Sequence, residues 1–371
     1  MLTYSLSETI RHCCAMQSQE FEVSEGEIDG ELQGTSPPMR SRVKLLKNQQ
    51  QQKSAMSKTK QKKLAREDQE RQQKSLVVEA FHAFYAAQYG ERWPLLLRSL
   101  IAKPRAACLP NKFADMAVFA ENMKGIANPR RIPSVSVPLY ECDDRFPHPE
   151  RDDKNVYTCY LLDAASVLAT EALNLSPEDR VLDLCAAPGG KSVAILQHLR
   201  LPLGSLTAND ISADRRRRLW KVMMDYLPED LRQYVSVTGR DGTQWSQPDL
   251  FDKVLVDAPC SSERHLLQND EELWRWSEHR SFQCAKRQLA LLNVALKNVH
   301  VGGVVVYSTC SISNLENDKV IEKALHKTKV DVEIVQRTWL IGEKTVYGWI
   351  VLPDISDGWG PLYFSVLQRV G

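Results

Sequence analysis

Two cysteines stand at the ends of strand-like runs and have side chains that can do covalent chemistry. Cys260 closes the run KVLVDAPC and Cys310 closes the run GVVVYSTC. Short β-branched runs that stop at Pro, Ser or Thr are typical of buried strands in a parallel sheet. Ligands bind beyond the carboxyl ends of such strands, so both thiols are expected at one cleft, beside Asp257. A thiolate is well suited to adding to an electron-poor ring. The alternative is that each cysteine is a small buried hydrophobe.

A glycine turn upstream indicates the ligand of that cleft. Residues 180–192 read RVLDLCAAPGGKS, which predicts a strand, a small-residue turn and a helix that begins near Lys191. A phosphate-binding P-loop needs a glycine where this chain has Cys185, and the dinucleotide fingerprint Gly-x-Gly-x-x-Gly is absent. A nucleoside without a pyrophosphate remains, and S-adenosylmethionine is the common one. The residues expected to bind it at this turn are Cys185, Ala186, Ala187, Pro188, Gly189, Gly190 and Lys191.

Acidic residues end three successive predicted strands. Asp210 closes SLTAND about 20 residues after the glycines, where an acid conventionally holds ribose hydroxyls. Asp241 closes VSVTGRD and is expected to receive an adenine amino group, and Asp257 is the third acid. A single acid at a strand end is usually a turn former or a helix cap. Three in succession favour the nucleoside site.

The arrangement of the chain divides it into three segments. Residues 1–75, acidic and then basic and Gln-rich, are expected to be a disordered tail or at best a lone polar helix. That tail is either simply solvated or a basic arm that attracts RNA phosphates. Residues 76–175 are expected to be a helical region, with a long connection over 133–149. Residues 176–371 alternate strands and helices, which predicts an α/β catalytic domain with a mostly parallel sheet and a closing antiparallel hairpin.

Composition excludes several other classes of protein. Nine cysteines without a CxxC pair or Cys/His ligand spacing argue against a metal site and against a disulfide scaffold. No run approaches the roughly 18 apolar residues of a membrane span. A net charge of +1 does not by itself indicate a nucleic-acid binder. The first residues show no secretory pattern, and the Lys-rich run at 58–63 also suits a nuclear or nucleolar address.

The motifs together resemble the Sun/Nop-type RNA cytosine-5 methyltransferases. The matching segments are LCAAPGGKS at 184–192, AND at 208–210, RDG at 240–242, DAPCS at 257–261 and STCS at 308–311, with YLLDAAS at 160–166 and WGPLYF at 359–364. The resemblance implies a Rossmann-like fold, S-adenosylmethionine as cofactor and RNA as substrate. Within the family the chain is most similar to the mitochondrial branch that acts on small-subunit rRNA, and next to a mitochondrial tRNA enzyme. Location in the mitochondrion is implied by the resemblance alone.

The resemblance also assigns roles to the two thiols. Chemistry alone leaves either cysteine as the nucleophile, and the Asp-x-Pro-Cys order even suggests Cys260. In the Sun/Nop family the cysteine of TCS attacks, which implies that Cys310 is the nucleophile, Cys260 assists release and Asp257 serves the ring nitrogen. The usual turn after Cys260 is replaced here by Ser262, Glu263, Arg264 and His265. The chain also lacks the added RNA-binding module common among relatives, which suggests a helper protein.

Two other classes of function compete with this interpretation. One is a non-catalytic RNA-binding or ribosome-assembly factor that keeps the fold, which the intact cofactor loop and both thiols argue against. The other is an amino-directed adenine or cytosine methyltransferase. Such enzymes carry Asn/Asp-Pro-Pro-aromatic where this chain has Asp257-Ala258-Pro259-Cys260, and they need no thiol.

Overall fold

The computed structural model describes residues 58–371, which fall into two units. The smaller unit comprises 58–84 and 269–276, and the larger comprises 85–268 and 277–371. In the smaller unit most of helix α1 (Lys58–Tyr89) accompanies the short helix Asp270–Leu273. The Phe81 and Trp276 rings meet edge to face, with centroids 5.2 Å apart. Aromatic contacts of this kind hold the two segments of the unit together.

The expected disorder of the tail is wrong for residues 58–75, which form the first turns of α1. This part of the helix is rich in Lys, Gln, Glu and Arg, all good helix formers. Ion pairs one turn apart support it, with Lys63 3.9 Å from Glu67 and Lys74 3.0 Å from Glu70. The alternative of a polar helix therefore describes 58–75. Residues 1–57 lie outside the described part, and the RNA-binding role of the basic segment stays a prediction.

The expected helical region contains a small sheet that the sequence did not indicate. After α2 (Trp93–Ile101), the antiparallel order β2-β3-β1-β4 is formed within the described residues by strands β1 (Ala107–Pro110), β2 (Arg130–Arg131), β3 (Tyr140–Glu141) and β4 (Cys159–Leu162). Helix α3 (Met116–Met123) lies between the first two strands along the chain. Strands of two to four residues are too short to show an alternating pattern, so the prediction for 76–175 is wrong there.

The larger sheet carries the predicted strands in a mixed arrangement. Its order in the described chain is β11-β12-β13-β9-β8-β5-β6-β7, with β10 beside β13. The parallel strands are β5 (Arg180–Asp183), β6 (Ser205–Asn209), β7 (Val235–Thr238), β8 (Phe251–Asp257) and β9 (Val299–Thr309). The antiparallel strands that complete the sheet are β10 (Val332–Ile334), β11 (Glu343–Lys344), β12 (Trp349–Val351) and β13 (Leu362–Arg369). The α/β class with a closing antiparallel hairpin is confirmed.

Helices between these strands cover the sheet and bury an apolar core. They are α4 (Ala164–Glu171), α5 (Gly190–His198), α6 (Ala213–Tyr226), α7 (Glu263–Gln268), α8 (Glu278–Asn298) and α9 (Asp318–Lys327). The central valines of β8 and β9 are fully buried, as their β-branched runs predict. Within residues 58–371 no helix has the length and apolar character needed to cross a membrane.

Candidate active site

The two thiols meet where β8 and β9 end. These strands are parallel neighbours and pair Asp257 with Ser308, so the residues that follow them leave the sheet side by side. The Sγ atoms of Cys260 and Cys310 lie 3.0 Å apart, and both cysteines are free thiols. Cys310 is exposed, whereas Cys260 is half-buried. The exposed thiol is therefore the one that an incoming ring reaches first.

Hydrogen bonds favour a thiolate on Cys310. The Cys260 thiol and the Ser262 hydroxyl both contact the Cys310 sulfur, the hydroxyl at 3.1 Å. Donation from Cys260 is the largest influence lowering the pKa of Cys310; burial opposes it and Ser262 reinforces it. The same contact with Cys310, together with burial, raises the pKa of Cys260 well above its usual range. Since the thiolate is the nucleophilic form, this electrostatic arrangement suits Cys310 as attacker and Cys260 as proton donor.

Asp257 and Lys191 form the charged partner of the thiols. The Lys191 ammonium donates to Asp257 Oδ2 at 2.8 Å, and the Ser308 hydroxyl donates to Oδ1 at 3.1 Å. Burial pulls the pKa of Lys191 down, but the charge and the hydrogen bond of Asp257 outweigh it, so the pKa is raised. Lys191 therefore stays cationic and contributes to lowering the pKa of Cys310.

The glycine turn brings the helix N-terminus of α5 to the end of β5. Gly189 has φ 119°, a left-handed conformation, and a Cβ there would lie 3.0 Å from Val222. Only glycine meets both conditions without strain. The Ala186 N–H donates to the Asn209 carbonyl at 2.7 Å, which ties the turn to the end of β6. Burial raises the pKa of Cys185, so this residue lines the turn as a neutral thiol and does not act as a nucleophile.

Beside the turn lies a cavity of about 200 Å³ that reaches two of the three acids. It is lined by Leu184, Cys185, Asn209, Asp210, Ile211, Ser212, Arg215, Asp241, Gly242, Pro259, Arg287 and Leu291. Asp210 is buried; its Oδ1 accepts from the Ser212 N–H at 2.9 Å. Its Oδ2 accepts no hydrogen bond from the described residues, although Arg215 Nη1 is 3.4 Å away. A buried acceptor of this kind fits a ribose hydroxyl.

Asp241 lines the same cavity and also caps its own turn. Its Oδ1 accepts from the N–H and the hydroxyl of Thr243, and its Oδ2 accepts from Gln244 Nε2 at 3.1 Å. The hydrogen bonds from Thr243 lower the pKa of Asp241, so the carboxylate is ionised and keeps a free lone pair. The turn-forming role and the proposed adenine contact are therefore compatible.

Asp183, at the end of β5, belongs to the site although the sequence did not single it out. It is fully buried and accepts from the Ser192 hydroxyl at 2.6 Å. Its Oδ1 has no hydrogen-bond partner among the described residues, and burial raises the pKa of Asp183 to about 7. An unpaired buried acceptor beside the turn fits the ammonium group of an amino-acid cofactor such as S-adenosylmethionine. The signal was present in the sequence as an acid at the end of a fourth predicted strand, inside RVLD.

Two charged residues that follow Cys260, Glu263 and Arg264, are buried beside the site. Glu263 is fully buried, and Arg264 is 8% exposed. The Arg264 guanidinium donates to the carbonyls of Ala102, Gly358 and Gly360. Ser262 has φ 55°, a left-handed conformation that a serine adopts rarely. Sequence reasoning noted this segment only as a departure from the wider family, because charged residues are expected at the surface.

Comparisons with known proteins decide the family. The family described as "16S rRNA methyltransferase RsmB/F" matches residues 170–355. The chain belongs to this family. It is 33% identical over 340 residues to the mouse "5-cytosine rRNA methyltransferase NSUN4", covering 80% of the chain and 89% of that relative. It is 32% identical over 316 residues to the mouse mitochondrial "tRNA (cytosine(34)-C(5))-methyltransferase", covering 79% and 90%.

Solved structures agree on the fold. NSun6 from Pyrococcus horikoshii, crystallised with SFG, superposes with a TM-score of 0.63 at 18% identity, covering 79% of this chain and 98% of that one. A methyltransferase homologue from the same organism gives 0.63 at 22% identity, covering 78% and 94%. The predicted Sun/Nop membership, the Rossmann-like fold, the S-adenosylmethionine cofactor and the RNA cytosine-5 methyltransferase class are therefore confirmed.

Proposed function

We propose that this enzyme methylates carbon 5 of a cytosine in mitochondrial small-subunit rRNA through a covalent adduct with Cys310. The observation that carries the proposal is the pair of thiols at adjoining strand ends, 3.0 Å apart. Carbon 5 of cytosine is a poor nucleophile, so its methylation requires a thiol that activates the ring and an acid beside it. Methylation of an exocyclic amino group requires no thiol.

In the addition step, the Cys310 thiolate forms a bond to carbon 6 of the flipped cytosine. The electrons of the 5,6 double bond make carbon 5 nucleophilic, while the ring nitrogen takes a proton that is relayed through the Asp257 carboxylate. The Lys191 ammonium, 2.8 Å from that carboxylate, holds it in position and supplies the proton. The reaction requires an unstacked base, so the RNA must present its cytosine in an accessible conformation.

Residues beside the turn hold the cofactor. S-adenosylmethionine supplies an electrophilic methyl group to carbon 5. Asp210 is assigned to the ribose hydroxyls and Asp241 to the adenine amino group. Residues 185–190 enclose the amino-acid end beside the N–H groups of the first turn of α5, and Lys191, after its bond to Asp257, has N–H donors left for the carboxylate. Asp183 Oδ1 and Asp210 Oδ2, which accept no hydrogen bond from the described residues, support this orientation.

In the release step, Cys260 closes the cycle. Its thiol passes a proton to the departing Cys310 sulfur, and the resulting Cys260 thiolate takes the proton from carbon 5. The carbon 6–sulfur bond breaks as the 5,6 double bond re-forms, and the ring nitrogen returns its proton through Asp257 to Lys191. Cys310 then loses the one net proton of the reaction to solvent, so atoms and electrons balance. The raised pKa of Cys260, caused by its hydrogen bond to Cys310 and by burial, keeps that proton available until this step.

The substrate is tested by methyl transfer to defined RNAs. The purified chain, given radiolabelled S-adenosylmethionine, should methylate a transcript of mitochondrial small-subunit rRNA more efficiently than mitochondrial tRNA transcripts, and bisulfite sequencing should place the mark on carbon 5. Preference for tRNA would favour the function named for the mouse mitochondrial relative. Cofactor binding without transfer to any RNA would favour an assembly factor. Transfer that appears only when mitochondrial extract is added would support the expected helper protein and the mitochondrial location.

A further inference from the structure

Behind the thiols lie two buried carboxyl groups that the reaction does not use. Glu263 and Glu316 are both fully buried. Glu263 opens α7, three residues after Cys260, and Glu316 precedes α9, six residues after Cys310. No ion pair of the described residues involves either carboxyl group. Burying a carboxylate without a cation is costly, so their retention needs a reason.

Each carboxyl group binds the residues that follow the other cysteine. Glu316 Oε2 accepts from the backbone N–H of Ser261 at 3.0 Å, immediately after Cys260. Glu263 accepts from the Ser311 hydroxyl at 3.1 Å and from the Ile312 N–H at 3.0 Å, immediately after Cys310. The two thiol loops are thus tied to each other reciprocally.

A count of protons shows that the pair carries one. The Ser261 hydroxyl contacts both Glu263 Oε1 and Glu316 Oε1, and the Ser311 hydroxyl contacts Glu263 Oε1. The two hydroxyls supply two protons to these contacts, and they also lie 3.0 Å from each other. One proton on a carboxyl group therefore completes the set of hydrogen bonds.

The partners locate that proton on Glu316. Glu263 is surrounded by donors, which include the Tyr85 hydroxyl at 2.7 Å as well as Ser311 and Ile312, so it acts as the acceptor of the pair. Glu316 Oε2 accepts from Ser261 and from Gln288 Nε2 at 2.9 Å, which leaves Oε1 to carry a proton toward the Ser261 oxygen. Burial and the nearby charge of Glu263 raise the pKa of Glu316 to about 7. The other titratable groups around the pair are Tyr85, Tyr89, Tyr307, Cys260 and Cys284.

We propose that Glu263 and Glu316 are positioning residues, a singly protonated carboxyl clasp that sets the distance between the two thiols. The clasp acts on the reaction through Cys260 and Cys310, so this inference rests on the proposed function. Loss of the proton leaves two carboxylates in contact with the Ser261 hydroxyl, and their repulsion separates the loops that follow Cys260 and Cys310. The proton of Glu316 is bound up to about pH 7 in the folded protein and lost above it, so the clasp weakens as pH rises through that value.

Two isosteric variants separate this proposal from a general packing role. In Glu316→Gln the amide oxygen replaces Oε2 and the NH₂ group donates to Ser261, as the protonated acid does. In Glu263→Gln an NH₂ group must face the donors that now surround the carboxylate. We therefore expect Glu263→Gln to slow methyl transfer by about tenfold to a hundredfold. Glu316→Gln should reduce the rate of methyl transfer much less, and it should flatten the decline in turnover above about pH 7.

A second readout measures thiol spacing without methyl transfer. Diamide oxidises two neighbouring thiols, since two S–H bonds break, one S–S bond forms and the two hydrogens reduce the azo bond. The rate of Cys260–Cys310 disulfide formation, followed by peptide mass spectrometry, should fall in Glu263→Gln and in Glu316→Leu but much less in Glu316→Gln. Glu322→Gln, which contacts only Lys319 among the described ion pairs, is the control and should match the native enzyme.

Equal oxidation rates in Glu263→Gln and in the control would overturn the clasp. Equal losses of oxidation rate and of methyl transfer in Glu263→Gln and Glu316→Gln would overturn it as well. If Glu263→Gln does not fold, the contrast between Glu316→Gln and Glu316→Leu decides the question in the same way. Failure of the native enzyme to methylate any RNA would refute the proposed function and leave the oxidation assay valid.

Discussion

The thiol edge of the large sheet and its cofactor edge differ in how completely their polar atoms are paired. At the thiol edge (Cys260–Ser262 and Cys310–Ile312), each sulfur contacts the other and Ser262, and the serines behind them are bound to carboxyl groups. At the cofactor edge (the ends of β5, β6 and β7), Asp183 Oδ1 and Asp210 Oδ2 are buried without a hydrogen bond from the described residues.

The difference indicates which part of the site the chain builds by itself. Side-chain hydrogen bonds fix the positions of the thiols before any substrate arrives, which suits groups that must meet carbon 5 and carbon 6 together. The cofactor edge keeps buried acceptors that receive no hydrogen bond from the described residues, so a ligand that donates to them should offset a cost already present in the protein. Substitutions at the two edges are therefore expected to have effects of different kinds, on chemistry at one and on affinity at the other.

The largest effect is expected from the two cysteines, because each serves a different step. Cys310→Ala cannot add to carbon 6 and should be inactive without any covalent RNA. Cys260→Ala can add and transfer methyl but releases slowly, so a protein–RNA adduct should accumulate and survive denaturing electrophoresis. Cys142→Ala, which removes a buried thiol in the small-sheet region after β3, is the control.

If Cys310→Ala traps the protein–RNA adduct and Cys260→Ala is inactive without an adduct, Cys260 is the nucleophile. If both variants stay active and neither traps RNA, covalent catalysis is excluded and the thiol edge has a purely structural function.

A smaller effect, on affinity alone, is expected at the cofactor edge. Asp210→Ala removes the acceptor assigned to the ribose and should weaken S-adenosylmethionine binding by about 1–3 kcal/mol, the usual cost of losing a charge-assisted hydrogen bond. Calorimetry measures this directly. Asp214→Ala is the matched control, because that carboxylate is exposed and pairs with Arg217. An unchanged affinity in folded Asp210→Ala would remove Asp210 from the cofactor site.

Much of this site was predictable because strand ends in a parallel sheet converge. The runs before Cys260, Cys310 and Asp210 are short and β-branched or apolar, so their order along the sequence was enough to place all three at one edge. Gly189 was predictable as well, since its conformation admits few other residues.

Other features were not predictable, because they depend on contacts distant in sequence. Glu263 is held by Tyr85, 178 residues away, and nothing local distinguishes its buried carboxyl group from a solvated one. The strands β1 and β4 are 4 residues each and pair across a long connection, so neither periodicity nor spacing reveals them. Asp183 lies at the end of β5, much as Asp210 lies at the end of β6. The sequence does not show, however, that Ser192 binds one oxygen of Asp183 and leaves the other without a hydrogen bond from the described residues.

The smallest effect is expected from Ser262, which adds one hydrogen bond to a thiol that already has another. Ser262→Ala removes the hydroxyl 3.1 Å from Cys310 and should raise the pKa of that thiol. The lost hydrogen bond, worth about 1 kcal/mol, should slow methyl transfer roughly fivefold. Ser262→Gly removes the same hydroxyl but relieves the left-handed backbone at φ 55°, so it should melt at a higher temperature than Ser262→Ala. The pH dependence of Cys310 alkylation by iodoacetamide, followed by mass spectrometry, should shift to higher pH equally in both variants. An unshifted profile in both would show that Cys260 and Lys191 sustain the Cys310 thiolate without a contribution from Ser262.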